Sequence, residues 1–261
     1  MLFGSKKALI GVVHLLPLPG SPRYSGDMAE IISRAIGDAR ALEAGGSDAL
    51  IVENYGDSPF RERVGPAAVA AMAAIASRVA REVDIPVGVN VLRNDCPAAV
   101  AVAEASGAKF IRCNAYVEVL ASDQGILRPA AAEVQEFKRL LGSDVLVLAD
   151  VMCKHATPLH GMNLEEVVRA ALVRGKADGV VVTGSETGRP PEPEKVRRAK
   201  EAAGDRPVLV GSGVTLDNAV ELLRWADGAI VGTWLKEGGV TENPVDPERV
   251  RALADVFSRL T

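Results

Sequence analysis

The chain has 261 residues, 48% of them hydrophobic and drawn mainly from Ala, Val and Leu, with a formal net charge of −4. That length suits one α/β barrel domain spanning 1–261, and the mixed, slightly acidic charge offers no nucleic-acid surface. No apolar run approaches the roughly 18–20 residues that span a bilayer.

The first seven residues are too short and polar to form a signal peptide. Three cysteines (Cys96, Cys113, Cys153) without a C-x-x-C pair fit reduced thiols, so a cytoplasmic protein is expected.

Eight short apolar runs follow in chain order: Ala8–Val13, Ala49–Val52, Pro86–Leu92, Lys109–Cys113, Val145–Ala149, Gly179–Val182, Pro207–Val210 and Gly228–Val231. Each leads into a polar loop and then a stretch with helical spacing. The first such stretch, Met28–Ala44 behind Asp27, carries Ile31, Ile32, Ala35, Ile36, Ala39 and Leu42 on one face. Pro66 and Pro129 read as opening the second and fourth helices, and Asp246-Pro247 the last. Glycines at 45, 46, 107, 142, 175 and 204 read as stops that reach the left-handed region.

Strand alternating with helix builds a parallel sheet from βαβ units. Eight units are the number that closes a single (β/α)8 TIM barrel. Chemistry then belongs in the loops that follow the strands. Three of these, Leu15–Gly26, Asn54–Gly65 and Gly184–Pro191, exceed ordinary length and are candidate lids or plain covers of the mouth.

The strand ends supply the candidate site. His14 ends the first strand, Glu53 the second, Asn90 the third and Asp150 the fifth, with Lys154 and His155 just beyond. Arg112 and Asn114, two residues apart near the end of the fourth strand, share one face. Thr183 closes the sixth. Glu53, Asp150, His155 and His14 are candidate proton movers. Lys154 would neutralise an anion or form a Schiff base. Asn90, Arg112, Asn114 and Thr183 would hold the substrate. A structural salt bridge under the fifth loop is the plainer alternative for Asp150, Lys154 and His155.

After the seventh strand comes Gly211-Ser212-Gly213-Val214-Thr215, and after the eighth Gly232-Thr233. Barrels often bind phosphate between these two loops, where glycines let backbone N–H groups approach the oxygens. The same glycines would also serve as tight turns. Thr215 reads as the cap of the seventh helix and Lys236 as an additional cation. No G-x-G-x-x-G follows a strand, so no dinucleotide is expected. A divalent metal held by His14, Glu53, Asp150 and His155 is an alternative without a close ligand pattern such as H-E-x-x-H.

Taken together, these segments resemble the BtpA/SgcQ family. The resemblance rests on Gly11-Val12-Val13-His14-Leu15 with Pro17-Leu18-Pro19-Gly20-Ser21-Pro22, on Val52-Glu53-Asn54 with Asp57-Ser58-Pro59-Phe60, and on Gly88–Asp95. It continues through Phe110–Asn114, Asp123-Gln124-Gly125, Ala149-Asp150-Val151 with Lys154-His155-Ala156, Thr183-Gly184 with Thr187-Gly188, and Gly211-Ser212-Gly213. It implies a ribulose-phosphate-binding-type barrel. For function it implies either a sugar-metabolism enzyme or, as in cyanobacterial relatives, a part in photosystem I biogenesis.

Two function classes therefore stand. One is an enzyme acting on a small phosphorylated metabolite by isomerase, epimerase or lyase-like acid–base chemistry. The other is a non-catalytic assembly factor for a membrane complex, attached peripherally through its outer helices. A homo-oligomer is expected in either case.

Overall fold

Branched apolar residues fit a pleated surface buried on both faces, and each of the eight runs forms a strand. The computed structural model describes residues 2–153, 155–184 and 188–260. In chain order the strands are β1 (Ala8–His14), β2 (Ala49–Glu53), β3 (Val87–Asn90), β4 (Phe110–Cys113), β5 (Leu120–Ser122), β6 (Gly125–Leu127), β7 (Leu146–Val151), β8 (Ala156–Pro158), β9 (Gly179–Val182), β10 (Val208–Val210) and β11 (Gly228–Val231). Among the described residues, a closed parallel barrel runs in the order β1-β11-β10-β9-β7-β4-β3-β2. The third expected run, Pro86–Leu92, shortens to Val87–Asn90. The fifth shifts forward, because Asp150 and Val151 stay in register with Val181 and Val182.

The helices are α1 (Met28–Ala44), α2 (Pro66–Glu82), α3 (Cys96–Ser106), α4 (Ala131–Leu141), α5 (Leu164–Arg169), α6 (Pro193–Ala203), α7 (Ala219–Leu223) and α8 (Pro247–Ser258). Asp27 accepts from the N–H groups of Ala29 and Glu30, and Asp246 from those of Glu248 and Arg249, so both cap as expected. Pro66 opens α2. Pro129 does not open α4. The residues ahead of that helix are tied to the loop after β4, Ala130 N–H to Ala115 O at 3.1 Å and Ala131 N–H to Tyr116 O at 2.9 Å.

Thr215 does not cap α7, which starts four residues later behind Asn218. Gly175 keeps a right-handed φ of −76° and is needed instead for close packing, since a Cβ there would lie 2.8 Å from the Tyr116 ring. No described helix is long and apolar enough to cross a membrane.

Strand residues alternate between two apolar layers. Outward residues such as Leu9, Leu50, Val89, Val147, Val180 and Val208 pack under the helices. Inward residues fill the barrel with Ala8, Ile10, Val12, Ala49, Ile51, Phe110, Leu148, Val181, Leu209 and Ile230. Phe3 covers the strand N-termini, its ring 4.8 Å from that of Phe110. Gly88 faces the same ring so closely that a Cβ would overlap it. Phe3 and Phe110 thus close the barrel at its N-terminal end.

A small antiparallel sheet in the order β6-β5-β8 has no counterpart among the eight expected runs. Its hairpin comes from the loop after β4 and its third strand from the loop after β7.

Candidate functional site

Continuing the inward period of two past the apolar layer brings His14, Glu53, Asn90, Arg112, Asn114, Asp150, Thr183, Gly211 and Gly232 to the mouth. On one wall, His14 is the register partner of Glu53, and Glu53 of Asn90. This row makes Asn90 Nδ2 donate to Glu53 Oε2 at 2.6 Å, with His14 Nε2 3.8 Å from Glu53 Oε1. The imidazole also packs against Tyr55, ring centroids 4.7 Å apart. Gly232 is required here, because a Cβ would sit 2.7 Å from His14 Cε1.

Across the mouth, Arg112 grips Asp150 with two bonds, Nε to Oδ1 at 2.8 Å and Nη2 to Oδ2 at 2.9 Å. Asn114 Nδ2 donates to the same Oδ2 at 2.9 Å. Asp150 is fully buried, and both of its oxygens accept from Arg112 and Asn114, which it thereby orients. Burial works against the Arg112 charge, but Asp150 outweighs it and holds the guanidinium above its ordinary range. Cys153 lies 3.5 Å from Asp150 Oδ2, and burial together with that carboxylate pushes its thiol up to about 12.

The third wall is backbone. Among the described residues, the N–H groups of Ser212, Gly213, Val214, Thr233 and Trp234 make no hydrogen bond, and all five residues line the cavity. Gly213 has φ +68° and lies so close to Arg189 and Pro190 that a Cβ would overlap them. The Ser212 hydroxyl fastens the loop after β9, accepting from Gly184 N–H at 3.1 Å and donating to Arg189 O at 2.9 Å. Asn218 closes the turn, accepting from Thr215 N–H and donating to Gly213 O, each at 2.9 Å.

Lys236 is not a cation of this site. It is fully buried, and its Nζ donates to Asp38 of α1 at 2.9 Å.

These walls enclose one cavity of about 800 Å³ at the mouth. His14, Glu53, Asn90, Arg112, Asn114, His155 and the glycine turns line it. Thr183 is buried and borders a neighbouring cavity, its carbonyl accepting from Lys195 Nζ at 2.8 Å. Lys154 lies outside the described residues. The metal set proposed from sequence does not converge, since Asp150 turns to Arg112. Among the described residues no cluster of His, Cys, Asp and Glu is placed to hold a metal ion.

Several residues that shape the site carry no spacing signal. Asn54 Nδ2 donates to Asp57 Oδ2 at 3.0 Å and Leu92 O at 3.2 Å, while Leu92 N–H donates to Asn54 Oδ1 at 2.7 Å. Asp57 accepts from Leu18 N–H at 2.8 Å, and Arg23 Nη2 donates to Gly56 O at 2.8 Å. The first two long loops are therefore braced to one another and to the loop after β3. Further round, buried Glu118 accepts from Met152 N–H at 2.8 Å and lies 3.1 Å from His160 Nε2. The signal that was present is the run of Asx residues at 54, 57, 90, 94 and 95, which characteristically tie backbone to backbone.

Known proteins match both the sequence and this architecture. The model of the BtpA family matches residues 5–259. An uncharacterised protein of Pyrococcus furiosus is 49% identical, over 98% of this chain and 97% of its own length. The photosystem I biogenesis protein BtpA of Synechocystis is 46% identical, over 98% of this chain and 90% of its own. The putative sgc region protein SgcQ of Escherichia coli is 33% identical, over 95% and 93%. Among solved structures, a thiamine phosphate pyrophosphorylase from Pyrococcus furiosus superposes with a TM-score of 0.62 at 16% identity, covering 100% of this chain and 99% of that one. At that identity the likeness concerns the fold. The sequence matches reach further, and by them the chain belongs to the BtpA family.

Proposed function

We propose that the chain is an enzyme acting on a small phosphorylated metabolite by acid–base chemistry of the isomerase, epimerase or lyase kind. One observation carries this reading: a single cavity presents Glu53 with His14 on one wall and unbonded backbone N–H groups on another. Fixed N–H dipoles suit a phosphate at Ser212–Val214 and Thr233–Trp234. Glu53 takes a proton from the substrate, and His14 beside it passes the proton on. Asn90 holds the Glu53 carboxylate in place. Arg112 and Asn114, both fixed by Asp150, orient the reacting end, and His155 closes the edge of the cavity.

Two measurements test this. Phosphorylated metabolites, and not their dephosphorylated counterparts, are expected to raise the melting temperature. Saturation at about 100 times Kd adds about 2.7 kcal/mol, or several degrees for a chain this long. In deuterated water, a C–H of the bound metabolite is expected to exchange, at a rate lowered at least about 10²-fold in Glu53→Gln. Exchange unaffected by that substitution overturns the role of Glu53.

The Synechocystis relative's name supports a second reading, a non-catalytic factor in the biogenesis of a membrane complex. That reading requires vesicle or complex binding indifferent to Glu53→Gln and to phosphorylated ligands. The polar cavity favours the enzyme, because a scaffold gains nothing from polar groups left unpaired in a cleft.

A further inference from the structure

Two side-chain amides sit at the cavity in matching arrangements. Asn90, 1% exposed, gives its NH2 group to Glu53, and Asn114, 2% exposed, gives its own to Asp150. A carboxylate only accepts hydrogen bonds, so each acid dictates which end of its amide it faces. The nitrogens turn to the acids and the carbonyl oxygens turn away. Both Oδ1 atoms are buried, and among the described residues neither meets a donor. Both residues line the main cavity. A buried acceptor left without a donor is costly, and a site built this way rejects a ligand that lacks the matching donor.

The charges around these oxygens say what the donor is. Glu53 is an anion on the same wall. The Arg112 charge is already matched by Asp150. Arg23 and Arg93, the other guanidinium groups on the lining, each give an N–H to a neutral acceptor, Gly56 O and Cys153 Sγ, and keep their charge, but neither bonds these two oxygens. A ligand carboxylate here would meet two acceptor oxygens and an anion, with the central arginine already neutralised. A hydroxyl donates to the amide oxygen and still accepts from a neighbouring N–H.

Resting on the enzyme reading above, we propose that the end of the substrate remote from its phosphate carries at least two hydroxyl groups, which donate to Asn90 Oδ1 and Asn114 Oδ1. The substrate class is then a polyhydroxylated phosphate, of sugar or polyol type, rather than a phosphorylated carboxylic acid. The two amides are its specificity determinants.

Calorimetric titration of the full chain tests this with four ligand series. They are hydroxylated phosphates from glycerol 3-phosphate to glucose 6-phosphate, deoxy counterparts such as 2-deoxyribose 5-phosphate, phosphoenolpyruvate as the carboxylate probe, and the parent sugars and polyols. At least one hydroxylated phosphate is expected to bind, and each hydroxyl deleted at the remote end weakens binding by about tenfold or more (about 1.4 kcal/mol per decade). Asn114→Leu and Asn90→Leu are expected to erase the difference between that ligand and its deoxy counterpart.

Equal binding of hydroxylated and deoxy ligands, or tighter binding of phosphoenolpyruvate, overturns the proposal and leaves the phosphate site standing. Binding of parent sugars with no gain from phosphate supports the hydroxyl floor and overturns the phosphate site. Silence across all four series overturns both. Should either leucine variant fail to fold, the wild-type series decides alone.

Discussion

At the scale of the residue, Asp150 shows how burial changes what a carboxylate can do. Two charges taken out of water cost more than their attraction returns unless every remaining donor and acceptor is matched. Arg112 supplies two bonds to Asp150 and Asn114 a third, so the pair survives with almost no exposure. Asp150→Asn leaves the guanidinium buried without its counter-charge, and an expected loss of about 3–5 kcal/mol follows. Urea unfolding reads this directly. A loss below about 1 kcal/mol, the range of an exposed pair, would mean that water reaches Arg112 and that Asp150 is free to act on protons.

At the scale of the element, the segment after β11 is fastened to α1 rather than turned to the ligand. Lys236 Nζ and Val245 N–H both bond Asp38, at 2.9 and 2.8 Å, and Arg34 Nε lies 3.3 Å from it. Burial lowers the Lys236 ammonium below its ordinary value while Asp38 opposes that shift. Lys236→Met is expected to cost stability near the lower end of about 3–5 kcal/mol, since Arg34 stays beside Asp38. The measurement is urea unfolding. A ligand-affinity loss without a stability loss would return Lys236 to the site.

The barrel was legible because eight branched, apolar runs with polar ends have few other solutions. The mouth was legible for the same reason: His14, Glu53, Asn90 and Asp150 are the first polar residues to interrupt inward-facing apolar rows. What stayed hidden depends on partners distant in sequence. Three-residue strands such as β5 and β8 are too short for a period, and their pairing joins two separate loops. Thr215 and Asn218 are three positions apart and both of a type that caps helices, and bonds to Gly213 and Thr215 hold Asn218 in the turn directly ahead of α7. The direction of Lys236 rests on Asp38 of α1, with which it shares no local pattern.

At the scale of the whole molecule, burial in the loops around the mouth disfavours the charged form of two carboxyl groups relative to water. Burial holds both Glu118 and Asp57 above the usual carboxylate range. A raised group binds its proton more readily in the folded chain than in the unfolded one. Its stabilising contribution is therefore complete below the ordinary carboxylate value and is lost as pH rises through the raised one. The unfolding free energy of the wild type relative to Glu118→Gln is expected to improve as pH falls from about 7 towards about 4, then level off. Urea titrations at a series of pH values check the sign. A pH-independent difference would show that Glu118 titrates alike in the folded and unfolded chain.

The braces around the mouth also bear on how such a barrel can be rebuilt. Leu18, Asn54, Asp57 and Leu92 link three consecutive loops, the β5–β8 pairing links two more, and Ser212 links the loops after β9 and β10. Barrels are commonly treated as modular, with each loop exchangeable on a constant frame. This one is modular only in blocks. A graft that replaces one loop strands the hydrogen-bond partners of its neighbour, so new specificity is to be built by exchanging linked loops together.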